Sequence, residues 1–431
     1  MKNKFIKSTF ILIIGGFVVK ILGFIIKLLY TRIIGPEGIG LYSLIIPSYS
    51  LFITIATLAM PVAISKLVAE GKYPYKDIFS SAFAIIFLVD AILIFFILAF
   101  KNFISVNLLN ESRLEFLFIA ITITIPFISA TTVYKGYFLG KQNMIPNTVS
   151  NIFEQILRIV LIILFLPIIY KKSIIDAVAG LILLSVFSES LSLLIFLFFM
   201  RKEKRQISSV KKDICHDILK TAIPSVSSRL VGNIGFFFEP VILTNLLLYK
   251  GFSSSYIIRE YGSYNAYAIA LLTMPSFFIM AISSSLIPEI SKYYIKGNIT
   301  MVKKRIKEAL LLSLIIGSFF SMEILFFREP LLNALYGTNS GSEYIKVLAP
   351  FFVLFYLEGP LSSTLQATSM SKQALKISTL GVIVKLLFMT IFSLLKCGIL
   401  SLVYAEIINI FFVVISLGHE VISLVTSSNS F

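Results

Sequence analysis

Three basic side chains stand inside long apolar runs, where a charge is costly and normally faces a cavity or a partner. Lys20 and Lys27 belong to a set, Gly16, Lys20, Gly23, Lys27 and Tyr30, that a helix places on one face. The same spacing returns downstream as Ser225, Arg229, Gly232, Phe236 and Glu239. Each stripe has small residues around a central cation, and the glycines would let helices approach closely. A cavity shared by the two stripes would hold Lys20, Lys27 and Arg229. Fixed cations in a low-dielectric cavity select anions, and a guanidinium grips phosphate through two parallel hydrogen bonds. Arg158 and Lys385 each follow a Lys-Gln pair and would either line the same cavity or reach toward an interface. Carboxylates at Asp90, Glu154, Glu189, Glu239, Glu323, Glu358 and Glu406 also fall in apolar runs. They could serve cation coupling, or they could neutralise basic residues such as Lys27 and Arg229.

Metal, redox and covalent chemistry find little footing. The two cysteines, Cys215 and Cys397, are far apart in sequence, and His216 and His419 stand alone. Neither a disulfide framework nor a zinc site is expected. No Gly-rich phosphate loop marks an ATP-driven pump. No loop bears the paired exposed carboxylates that a glycosyltransferase would use for metal and sugar. The expectation is a protein with no catalytic residue, no metal and no cofactor.

The elements that hold these charges follow from composition. The 431 residues are 57% hydrophobic and only 14% charged, with mean hydropathy +0.93. Twelve membrane helices of about 20 residues would use roughly 240 residues, close to the whole apolar content. No soluble core could hide so much apolar surface, and the runs are continuous rather than alternating, which excludes a β-barrel. The fold class is an all-α polytopic membrane protein with about 12 spans in two six-helix lobes. The expected spans are 8–31, 41–66, 79–100, 114–138, 147–170, 174–200, 216–248, 264–292, 307–327, 345–369, 374–395 and 399–418. Several contain proline, which membrane helices tolerate and which leaves kinks. The first run has no small-residue cleavage site and reads as a retained helix.

An even span number puts both termini on one side. With that side cytoplasmic, its loops carry roughly twice the Lys and Arg of the outer loops. The net charge of +16 is thus an orientation signal facing anionic lipid, not a nucleic-acid footprint. The hydrophilic connector RKEKRQISSVKKD at 201–213 divides the chain into lobes 1–205 and 206–431.

The halves resemble each other. Pro47-Ser48, Pro61, Ile64-Ser65-Lys66 and Gly71 in the second span are matched by Pro275-Ser276, Pro288, Ile290-Ser291-Lys292 and Gly297 in the eighth. Equivalent positions in the two halves indicate a parallel repeat.

FVVKILGFIIKLLYTRIIGPEGIGLYSLIIP at 17–47, MPVAISKLVAEG at 60–71, AIPSVSSRLVG at 222–232 and PSFFIMAISSSLIPEISKYYIKGN at 275–298 resemble the stage V sporulation protein B branch of the MOP exporter superfamily. That branch is related to the MurJ lipid II flippases and the polysaccharide flippases. The resemblance implies two six-helix lobes that work by alternating access. It implies an undecaprenyl-pyrophosphate-linked glycan as cargo, membrane lipids and cell-wall synthesis enzymes as partners, and a plasma-membrane setting in peptidoglycan or spore-wall synthesis. By motif position, Lys20 and Lys27 match the basic pair of the first helix in the lipid II flippases, and Arg229 matches the basic residue of the IPxxxSRL segment. The chain departs in having Lys where relatives often have Arg, and the two extra C-terminal helices of the lipid II flippases are not expected. Two other readings stay open: a cation-coupled MATE-type multidrug exporter, whose central groups would be carboxylates, and a non-transporting membrane scaffold for wall enzymes.

Overall fold

The computed structural model describes residues 2–201 and 209–427. Among them there is no strand. The helices are α1 Lys2–Thr57, α2 Met60–Glu70, α3 Tyr75–Asn102, α4 Leu114–Gly140, α5 Ile145–Tyr170, α6 Ile174–Phe199, α7 Lys212–Tyr249, α8 Ser254–Gly262, α9 Ala270–Thr273, α10 Ser276–Ile295, α11 Ile299–Phe326, α12 Arg328–Tyr336, α13 Ser342–Phe355, α14 Glu358–Ala367, α15 Ser371–Leu394 and α16 Leu400–Ser427. Two stretches, Phe103–Leu108 and Ser263–Ile269, wind as wider π-helical turns.

The 56 residues of α1 would make a rod of about 84 Å, far longer than the roughly 30 Å hydrocarbon core. The rod breaks at Gly35, with φ 65° and ψ −178°. Pro36 disfavours a helical conformation of the residue before it, and glycine supplies the positive φ. Thus α1 holds the first expected span and most of the second. Leu58 and Ala59, both left-handed, make a further break before Pro61 starts α2. Among the described residues, ten helices are long and apolar enough to cross a membrane, or eleven when the pair Ser254–Thr273 and Ser276–Ile295, bent by 51°, counts as one span. The first of them, Gly15–Glu70, contains two of the twelve expected spans, which accounts for the difference. Large apolar side chains face outward, among them Phe87 at 77% and Phe326 at 74% exposure, as lipid contact requires.

The twin motifs of the second and eighth spans end alike. Gly71 and Gly297, each six residues past the Ser of Ile-Ser-Lys, turn the chain with φ 66° and 67°. Their breaks differ: one falls at Leu58–Ala59, the other at Met274–Pro275.

Contacts group the chain into Met1–Phe237 and Phe238–Phe431. The expected boundary at 205/206, with Lys202, Lys204 and Arg205, lies outside the described residues. The seam falls inside α7 because the first half of that helix packs into the N-terminal unit. Ile214, Ile218 and Ala222 join a core with Ile64, Ile78 and Phe196. Lys211 pairs with Asp77. Lys72 lies 3.0 Å from Asp217, which also accepts a 2.8 Å hydrogen bond from Tyr73. Tyr73 first, and then Asp217, raise the Lys72 ammonium above its ordinary range. The second unit has its own core, with Leu286, Ile290, Val302, Leu365 and Leu417.

Within the N-terminal unit, α4 lies close against α2 through glycines one turn apart. A Cβ at Gly140 would stand 2.7 Å from the Ser65 carbonyl oxygen, and one at Gly136 would stand 3.0 Å from Pro61 Cα. Both obstacles are backbone atoms, which cannot swing away. Gly140→Leu should therefore cost about 1–3 kcal/mol by overpacking, read as a lower unfolding midpoint in detergent; an unchanged midpoint refutes the close contact.

Candidate functional site

Lys20 and Arg229 are exposed and Lys27 is half-buried. All three belong to the N-terminal unit. The glycines between them do not bring helices together as the spacing led us to expect. A Cβ at Gly16, Gly23 or Gly232 would meet nothing within 4 Å, whereas one at Gly15, off the stripe, would strike Thr148 at 2.2 Å. The stripe glycines therefore keep open space beside the cations. Among the described residues, no carboxylate pairs with Lys27 or Arg229. Arg229 sits one turn before Asn233, whose side-chain amide donates to Thr54 Oγ1 at 2.6 Å. The cation-bearing turn of α7 thus lies beside the second half of α1.

Among the described residues, two further intramembrane cations, Arg158 and Lys385, are paired with carboxylates. Arg158 on α5 reaches Glu154 at 3.5 Å, one turn back, and donates to Ser188 Oγ at 3.3 Å. Beside this pair, buried Glu189 accepts from Thr131 Oγ1 at 3.2 Å. Asp90 accepts from Ser129 Oγ, and its Oδ1 is buried without a hydrogen-bond partner among the described residues.

In the second unit, Lys385 Nζ lies 2.7 Å from Glu239 and 2.7 Å from Glu406. The Tyr261 hydroxyl donates to Glu239 at 3.1 Å. Glu239 is thus committed to Lys385. Although it shares a sequence stripe with Arg229, it lies about 15 Å further along α7. Glu358 opens α14 at the break after α13 and lines a pocket of about 300 Å³ with Ser276, Ser283 and Gln366. Sequence reading named Glu239, Lys385 and Glu406 separately. Nothing in their spacing joined them, because they come from three helices.

The structure is thus a bundle of broken membrane helices in two units, each with buried charge. Solved structures agree on the fold. An inward-facing multidrug resistance MATE family transporter superimposes with a TM-score of 0.76 at 16% identity, covering 96% of each chain. The lipid II flippase MurJ, in an inward closed conformation, gives 0.73 at 18% identity over 95% of this chain and 86% of that one. The family model for polysaccharide biosynthesis proteins matches residues 5–294, and the MatE model matches residues 240–391. The chain belongs to the polysaccharide biosynthesis protein family. It is 34% identical to stage V sporulation protein B of Bacillus subtilis (strain 168) over 398 residues, 89% of this chain and 77% of that one.

The Lys385 cluster makes a specific demand. Removing the ammonium leaves two buried carboxylates face to face, and breaking a buried pair costs about 3–5 kcal/mol. Lys385→Met should therefore lower the unfolding midpoint strongly. Adding Glu239→Gln and Glu406→Gln should restore most of the loss. A single variant as stable as the parent would show that the ion cluster does not form.

Proposed function

We propose that the chain is a flippase that carries a polyprenyl-pyrophosphate-linked glycan, lipid II or a related wall precursor, across the membrane. Lys20, Lys27 and Arg229 bind the pyrophosphate while the polyprenyl tail stays among the acyl chains. The site is exposed alternately to the two leaflets. No bond is broken, so the cycle needs binding groups and not a catalytic residue.

One observation carries this reading. Arg158 and Lys385 are held by carboxylates, whereas Lys27 and Arg229 meet none among the described residues and border open space. Keeping a cation uncommitted at membrane depth is costly, and an anionic head group would repay that cost by taking its place. The names of the relatives, a sporulation protein and a lipid II flippase, point the same way and suggest peptidoglycan or spore-wall synthesis as the setting. We assign both termini to the cytoplasm from the distribution of Lys and Arg, and we expect wall-synthesis enzymes to consume the product outside. The membrane potential can bias such a cycle, at about 2.3 kcal/mol per charge per 100 mV.

In cells depleted of their resident lipid II flippase, this chain should restore wall growth. In proteoliposomes it should move a fluorescent lipid-linked pyrophosphate glycan. Lys27→Ala and Arg229→Ala should each slow that movement roughly tenfold or more, the worth of a charge-assisted contact, with Arg229→Lys retaining part of it. Alanine variants with full activity, alongside loss on substituting an intramembrane carboxylate, would favour the cation-coupled exporter. Purified protein that moves no lipid would favour the scaffold.

A further inference from the structure

The second unit carries an apolar groove of about 490 Å³ with walls from α11, α14 and α16. Its floor is buried at Ile306 and Val421, and its rim is exposed at Leu311, Leu314 and Ile422. Lys303 and Lys307 also line it, one turn apart on α11 and both exposed. Neither has an ion pair among the described residues. Arg305, between them in sequence, is taken instead by Glu289 at 3.2 Å and Glu308 at 2.8 Å.

The dimensions narrow the occupant. From Lys303 to Leu314, α11 rises about 17 Å, close to half of the roughly 30 Å hydrocarbon thickness. The groove therefore has the depth of one leaflet, with its two cations toward the start of α11. An amphiphile with one anionic head and apolar chains of leaflet length matches both parts. A zwitterionic lipid would fill the apolar part equally but would bring its own cation to the lysines.

We propose that this groove is a binding site for an anionic glycerophospholipid, with a chain along the α11–α16 wall and the phosphate on Lys303 and Lys307. In the orientation assigned above, this is the cytoplasmic leaflet, whose anionic lipids attract such lysines. The site uses none of the residues assigned to the cargo and stands whether or not the flippase reading does.

Gly418 allows the apolar part to be tested alone. It lines the groove, and a Cβ there meets nothing within 4 Å, so Gly418→Phe fills the slot without pressing on the core. The full chain, purified and delipidated in detergent, is titrated with phosphatidylglycerol or phosphatidylcholine and followed by native mass spectrometry. Phosphatidylglycerol should bind one to one and phosphatidylcholine far more weakly. Lys303→Gln with Lys307→Gln should weaken phosphatidylglycerol about 25-fold, a fivefold factor for each lysine. Gly418→Phe should abolish its binding with both lysines intact. Unfolding midpoints equal to that of the parent establish that the variants are folded. Equal affinity for the two lipids overturns the proposal, as does phosphatidylglycerol binding unchanged in both variants. A dimer that Gly418→Phe splits into monomers overturns it in favour of a second copy in the groove.

Discussion

A full charge cannot rest in hydrocarbon without an opposite charge or water, and that constraint organises both units. Glu154 meets Arg158 one turn away, and Glu239 and Glu406 converge on Lys385 from separate helices. Nearer the span ends, where water is at hand, the pairs are looser clamps. Arg113 holds Glu111 at 2.8 Å and Glu37 at 2.6 Å, tying the corner after Gly35 to the start of α4. Set against this rule, the stripe cations of α1 and α7 stand out because, among the described residues, Lys27 and Arg229 have no such partner.

The backbone obeys the same constraint. Every break in a span releases carbonyl and amide groups that hydrocarbon cannot satisfy. Hydroxyls beside breaks and prolines donate to nearby helix carbonyls. Thr57, just before the left-handed Leu58–Ala59 pair, donates to the Ile53 carbonyl at 2.8 Å. Thr244, four residues past Pro240, donates back to the carbonyl of that proline at 2.8 Å. The breaks also place chemistry: Glu358 sits at the start of a helix because α13 stops at Phe355.

What could be read in the sequence was whatever lies along one helix or repeats along the chain. The apolar runs, the Gly16–Tyr30 stripe and the twin Pro-Ser, Ile-Ser-Lys and Gly motifs are all of that kind, and Gly71 and Gly297 do turn the chain alike. What could not be read depends on contacts between helices. The Glu239–Lys385–Glu406 cluster draws on three helices and leaves no spacing to notice. The seam inside α7 arises because Ile214, Ile218 and Ala222 find their core among α2, α3 and α6, although the repeat counts α7 with the second half. The stripe glycines show the same limit: a missing Cβ is equally compatible with a close neighbour, as at Gly140, and with empty space, as at Gly23.

The Lys385 cluster also fixes how the second unit answers to its surroundings. Its counter-ion is tethered by a covalent stem, so the charge between Glu239 and Glu406 is decided when the chain is made. One ammonium balances one of the two carboxylates, so only the remaining charge is left to answer to the solution.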